Sequence, residues 1–224
     1  MGGQMQLSAG EWASLGMKAA RGAGYSWGLA EEFGASLATL AQWGINGAGP
    51  ALALCAAQAV LSLPQMTEID GRVWGQSGTP LCPVTTGALI CDLGTSPRGL
   101  FGPNPVTLAA VAEPLMLLPL VDGLAARAGR AVQITTPKAA LVFGGLVPLA
   151  ARDITEFADH ARGHTLTLCA KPSPYGASVL RAPHPPEITP EAYASLDRFA
   201  LATTVPATAQ SRETGAGAGL SDND

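Results

Sequence analysis

The stretch from Leu7 to Gly44 leaves this chain the fewest ways to fold. Trp12, Leu15, Gly16 and Ala19 recur at the i, i+3, i+4, i+7 spacing of a helix. Ala30, Phe33, Leu37 and Leu40 mark one face of a second helix after a short break. Ser8 and Glu11 form an S-x-x-E capping box, and Leu7 and Trp12 stand where a hydrophobic staple holds the entry. The break itself reads Arg21-Gly22-Ala23-Gly24-Tyr25-Ser26. Gly22 or Gly24 stops the first helix and Ser26 caps the second, which runs to Gly44. Two helices joined by so tight a turn make an αα-hairpin. Glu31 and Glu32 then fall near the positive end of the second helix, where its dipole favours them.

The rest of the chain is punctuated by proline and glycine. A third helix is expected with Pro50 at its first position and a stop before Pro64. Its residues are apolar on nearly all sides, so it belongs in the core. From Thr67 to Pro105 the pattern is broken, with one strand expected over Thr85–Asp92. Leu115–Ala128 reads as a helix with Pro119 as a kink point. Strands are expected at Ala131–Thr135, Ala139–Phe143, Thr165–Ala170 and Ser178–Arg181, around a helix at Asp153–Arg162. A last helix starts at Pro190, turns Tyr193, Leu196 and Phe199 inward, and ends before Pro206. Helices followed by mixed strands and helices is the order of an α+β fold. The hairpin and buried third helix would pack on a mixed sheet, in a single domain over residues 1–224.

Composition excludes some functions. Charged residues are 13% of the chain, against roughly 25% in an ordinary domain. A surface so poor in charge is expected to be partly hidden between subunits of a homo-oligomer. With a net charge of −4 and no cluster of Lys or Arg, nucleic acid is not an expected partner. Nor is a membrane, because Ala51–Leu63 is too short to span one and Val106–Val121 is broken by Glu113, Pro114 and Pro119. No basic stretch followed by an apolar one opens the chain, so no secretory leader is expected. Cys55, Cys82, Cys91 and Cys169 lack C-x-x-C spacing, which points to reduced thiols and a cytoplasmic setting.

Two stretches carry candidate chemistry. In Ala20–Glu32, the glycines would aim helix amides at an anion while Arg21 supplies a bidentate clamp. Gly24 would make the turn, Trp27 an apolar wall, and Glu31 or Glu32 a base or a partner for a ligand amine. The plainer reading has a glycine turn, an Arg21 pair to Glu31 or Glu32, and Trp27 filling the core. At the far end, Ser211 and Arg212 precede Gly215-Ala216-Gly217-Ala218-Gly219, and Asp222, Asn223 and Asp224 follow. Glycine amides there would cradle a carboxylate or phosphate, and the aspartates would hold an ammonium or a hard cation. A flexible extension is the alternative. Glu156, His160 and His164 recur every four residues, but Gly163 is expected to end that helix, so no metal site is assigned. Asp92 has no evident partner, and no Ser/His/Asp arrangement or phosphate loop is present.

Together the two stretches resemble a bacterial family described only as a domain of unknown function, with A-R-G-A-G-x-x-W-G-L-A-E-E at one end and S-R-x-x-G-A-G-A-G-x-x-D-N-D at the other. The resemblance implies that Arg21, Gly24, Trp27, Gly28, Glu31, Glu32, Arg212, Gly215 and Asp222 to Asp224 match signature positions. It implies no activity and no cofactor. The expectation is an enzyme or ligand-binding subunit for a small substrate bearing a carboxylate or phosphate. Glu31, Glu32 and Asp222 would do the catalytic work. Arg21, Gly24, Trp27, Ser211, Arg212, Gly217 and Asp224 would bind. The alternative is a non-catalytic, homo-oligomeric assembly protein.

Overall fold

The capping box at Ser8 starts helix α1 (Ala9–Gly22): Glu11 N–H donates to Ser8 Oγ at 3.2 Å, and the Glu11 carboxylate accepts from Ser8 N–H at 2.7 Å. Two reciprocal bonds satisfy donors that a bare helix end would leave to water. At its other end, Tyr25 N–H reaches Ala20 O at 3.0 Å and Gly24 N–H reaches Arg21 O at 3.0 Å. This is the paired closure of a Schellman stop, made possible by Gly24 at φ 100°. Helix α2 (Trp27–Gln42) follows from Ser26, which adopts N-cap geometry without a side-chain capping bond. Ala30, Phe33, Leu37 and Leu40 are buried, as their spacing predicts.

The computed structural model describes residues 4–61, 66–67, 73–74, 78–94, 96, 99–102, 104–176 and 179–203. Among them, seven α-helices and eight strands form an α+β fold. Helix α3 (Ala48–Ala57) begins two residues before Pro50, where Asn46 Oδ1 accepts from Ala48 N–H at 2.9 Å. It buries Ala48, Ala51, Leu54 and Cys55, while Ala53 and Ala56 face outward. Alanine tolerates that exposure because it carries so little apolar area.

The strand expected over Thr85–Asp92 is instead helix α4 (Pro83–Leu93). Pro83 stands in its first turn and pre-sets the backbone torsion there. Val84, Gly87 and Ile90 then recur every three residues toward the core. Gly87 settles the matter, since a side chain at that position would run into Leu120 and Leu117. Helix packing outweighs the β preference of Thr85 and Thr86. The expected kink at Pro119 resolves into a 3-10 turn (Pro114–Met116) and a separate helix α5 (Leu118–Ala128), whose first turn holds the proline.

Strands β1 (Met5–Gln6) and β8 (Glu187–Ile188) make a small antiparallel pair that ties the two ends of the described chain together. The main sheet contains β2 (Met66–Thr67), β3 (Val73–Trp74), β4 (Val106–Leu108), β5 (Arg130–Thr135), β6 (Ala140–Phe143) and β7 (Leu166–Pro174). Their order is β2-β3-β4-β7-β5-β6, with β3 and β4 parallel and the other pairs antiparallel. A mixed sheet was expected, and this is one. Helix α6 (Ala151–Ala161) packs against β6. Of the strand expected over Ser178–Arg181, Ser178 lies outside the described residues, and among those described Val179 makes an isolated bridge to Leu149.

Helix α7 (Pro190–Leu201) begins where Pro190 predicts and lies against α1. Leu196 is buried, with Tyr193 and Phe199 packed against the core. Glycines set the spacing of this helical layer. A methyl group built at Gly22 would overlap the backbone oxygen of Phe199, and one at Gly34 would lie 2.5 Å from Ala13 O. Gly22→Ala should therefore lower unfolding free energy by about 2–3 kcal/mol, the usual scale for overpacking. Gly28→Ala has nothing within 4 Å to meet and should be neutral or stabilising by up to ~1 kcal/mol. Urea denaturation of the two variants checks both signs.

Candidate functional site

The turn that closes α1 also aims Arg21. Its Nη1 donates to the carbonyl of Tyr25, and its guanidinium carbon lies 4.6 Å from the centroid of the Trp27 ring. A cation over an indole face is attracted by the ring quadrupole. Tyr25 makes this arrangement rigid. It is buried, meets Phe33 at 5.6 Å between ring centroids, and places its hydroxyl 3.7 Å from Cys82 Sγ. Burial raises the Tyr25 hydroxyl well above its ordinary pKa, so it stays protonated.

Trp27 does not fill the core; it is 64% exposed. Its ring walls a cleft of about 570 Å³ together with Met17, Lys18 and Arg21 from α1 and Asp197, Ala200, Leu201 and Thr203 from the end of α7. A smaller hollow of about 160 Å³ continues along the same α1–α7 seam and shares Lys18, Asp197 and Ala200. The cleft is mostly apolar, yet it gathers two cations and one carboxylate in a chain where charge is scarce. Among the described residues, Lys18, Arg21 and Asp197 form no ion pair. The predicted pairing of Arg21 with Glu31 or Glu32 is likewise not formed. Both glutamates are exposed and sit in the second turn of α2, past the reach of its positive end.

Glu32 lies elsewhere, near Cys91: burial chiefly raises that thiol above its ordinary pKa, Arg127 opposes the shift, and Glu32 and Asp92 add a smaller upward push. Asp92 thus lies in a helix rather than at a strand end. Of the residues expected to bind, Arg21 and Trp27 line the cleft. Gly24 shapes the turn behind them, and Gly22, read as part of a turn for an anion, serves close packing on α7. Ser211, Arg212, Gly217, Asp222 and Asp224 lie outside the described residues. Lys18 and Asp197 were missed. Lys18 is legible as the i−3 neighbour of Arg21 on one helix face. Asp197 has no local signal, because only the docking of α7 brings it here.

No cluster of three or more His, Cys, Asp or Glu able to hold a metal is present among the described residues. His160 Nδ1 lies 2.6 Å from Glu156 O, so its ring is engaged with its own helix. The four cysteines are free thiols. No helix among the described residues is long and apolar enough to cross a membrane.

The model of a protein family of unknown function, DUF3726, matches residues 7–53. That match covers α1, α2 and the start of α3, including the Arg21–Trp27 turn. It supports likeness to an uncharacterised family over the opening motif, whereas the closing motif lies beyond it. No curated protein matches the chain. Malate dehydrogenase from Entamoeba histolytica is similar in structure over 60% of this chain and 39% of that one, with 10% identity and a TM-score of 0.42. A likeness so loose carries no argument about fold or activity.

Burial pushes the Cys55 thiol up to about 12. At pH 8 its thiolate fraction should be on the order of a thousandfold below that of an unperturbed thiol. Alkylation by iodoacetamide, followed residue by residue by mass spectrometry, should leave Cys55 unmodified in native protein and label it after urea.

Proposed function

We propose that the protein binds a small zwitterionic ligand, one with a carboxylate or phosphate, an amine and an apolar part, in the α1–α2–α7 cleft. The observation that carries this reading is Arg21 held over an exposed Trp27, beside Lys18 and across from Asp197, with none of the three charges ion-paired among the described residues. A guanidinium fixed by one backbone bond keeps further N–H groups for an anion. Lys18 adds a mobile second charge, and Asp197 suits the ligand amine. Trp27, Met17 and Leu201 would cover the apolar part. An anionic group gains more here than at an open surface, because the apolar walls weaken competition from water.

The reading needs neither Glu31 nor Glu32, which do not line the cleft. If the protein is an enzyme of small-molecule metabolism, Asp197 is the carboxylate placed to move a proton. Free thiols fit a reducing, cytoplasmic compartment.

The test is titration of the tryptophan emission with phenylalanine, N-acetyl-phenylalanine and inorganic pyrophosphate. Phenylalanine should bind best, and loss of its amine charge should weaken binding. Arg21→Gln and Lys18→Gln should each raise Kd about tenfold or more, the scale of one charge-assisted bond. Asp197→Asn should affect phenylalanine and spare pyrophosphate. If all three variants titrate like the parent chain, the cleft is not a binding site.

A second reading, assembly into a homo-oligomer, has its own observation. Leu146 is 97% and Val147 75% exposed in the loop after the edge strand β6. Leu180, 54% exposed, is brought alongside by a 2.8 Å bond from its N–H to Leu149 O. Leu146→Ser with Val147→Ser should convert an oligomer to monomer in light scattering. An unchanged mass would remove this reading.

A further inference from the structure

The cleft does not stop at Lys18 and Asp197. These two residues and Ala200 also line the smaller hollow, which runs on between α1 and α7 to Glu11, Ser14 and Tyr193. On α1 the polar side chains of this seam are Glu11, Ser14, Lys18 and Arg21. At about 100° per residue they fall within an arc of about 80° on one helix face. A rise of about 1.5 Å per residue sets Glu11 about 15 Å from Arg21 along the axis. The seam is therefore polar in a fixed order: a carboxylate at one end, a guanidinium at the other, and Lys18 with Asp197 between. Glu11 is charged at neutral pH, because hydrogen bonds with Ser8 hold its carboxyl below the ordinary range. Its Oε2 accepts from Ser8 N–H at 2.7 Å, which leaves Oε1 for another donor.

We propose that this seam binds a short peptide with both termini free, three residues long and ending in an apolar side chain. The inference rests on the cleft being a site for a zwitterion and extends that site along α1. The C-terminal carboxylate meets Arg21, the last side chain covers Trp27, and the N-terminal ammonium meets Glu11. Lys18, with three donors, serves the carboxylate and the carbonyl before it, while Asp197 accepts the last peptide N–H. Length follows from the spacing of the charges. Three extended residues span roughly 10 Å from amine to carboxylate. A hydrogen bond of about 2.8 Å at each end brings the total to about 15 Å. A single amino acid leaves Glu11 unused, and a peptide of five residues overshoots it. Ser14 and Tyr193 add hydroxyls to the walls of the smaller hollow, where peptide N–H and C=O groups would lie. An extended peptide carries donors and acceptors along its whole length, so a seam of alternating charges and hydroxyls suits it better than a lipid chain or an inorganic anion.

The experiment is calorimetric titration of the full chain with phenylalanine, the tripeptide Gly-Gly-Phe, its N-acetyl form and the pentapeptide Gly-Gly-Gly-Gly-Phe. Gly-Gly-Phe should bind about fivefold more tightly than its N-acetyl form, the upper scale of one exposed charge pair. In a Glu11→Gln chain the two forms should bind alike. The amide oxygen of glutamine still accepts from Ser8 N–H, so the start of α1 is kept. Equal binding of the free and acetylated tripeptides to the parent chain overturns the inference, as does a difference that survives Glu11→Gln. A pentapeptide bound as tightly as the tripeptide overturns it too, and assigns the seam to the chain ends of larger proteins. Phenylalanine that binds through Arg21 alongside any of these results leaves the cleft itself standing as a site. Binding of neither phenylalanine nor any peptide removes both ideas. A tripeptide bound through Glu11 without any binding of phenylalanine keeps the peptide site and removes the single amino acid as its ligand.

Discussion

Close approach of helix backbones at glycine governs the helical half of this protein. Gly16 and Gly34 let α1 and α2 pack where any side chain would strike Leu37 or Ala13, and Gly22 admits the backbone of α7 at Phe199. Every such contact removes apolar surface from water and aligns the helices within tight limits. The cleft follows from that alignment. Because α7 is locked to α1 at Gly22, its last residues stand opposite Lys18 and Arg21 across a gap lined by Trp27.

Charge is then placed with economy. Two of the ion pairs outside the cleft hold Arg162 to Glu113 at 2.7 Å and to Asp159 at 3.6 Å. The first pins Glu113, a non-glycine residue with a left-handed φ of 43°, at the bend before Pro114. Those charges answer each other and serve the fold. In the cleft, by contrast, Lys18, Arg21 and Asp197 form no ion pair among the described residues, and Arg21 is held by the Tyr25 carbonyl and the Trp27 ring. The family match ends at residue 53, whereas the far wall of the cleft comes from the end of α7 and from Thr203 just beyond it. The cleft, lined from both ends of the described chain, is thus only partly contained in the region of recognised similarity.

Local signals were reliable wherever the interaction deciding the structure lay within a few residues. The capping box, the glycine stop at Gly24, the faces of α1 and α2, and Pro190 at the head of α7 all involve partners less than a helical turn or two away. Arg21 and Trp27 could be singled out for the same reason. The segment Thr85–Asp92 was misread because its threonines favour a strand locally, while Leu117 and Leu120, some thirty residues on, demand a helix bearing glycine at position 87. Glu31 and Glu32 were attractive as neighbours of Arg21 in sequence, but a rotation of 100° per residue turns them from it.

The amino-acid order by itself determined the hairpin, its turn and the α+β class, since caps, helical periodicity and glycine torsions act over short distances. Only the tertiary structure decided that Trp27 stays outside the core, that Arg21 lies over it unpaired with Glu31 or Glu32, and that Lys18 and Asp197 join them. Those outcomes depend on how closely α7 approaches α1, which is a balance of van der Waals contact between distant segments and leaves no mark on either segment alone.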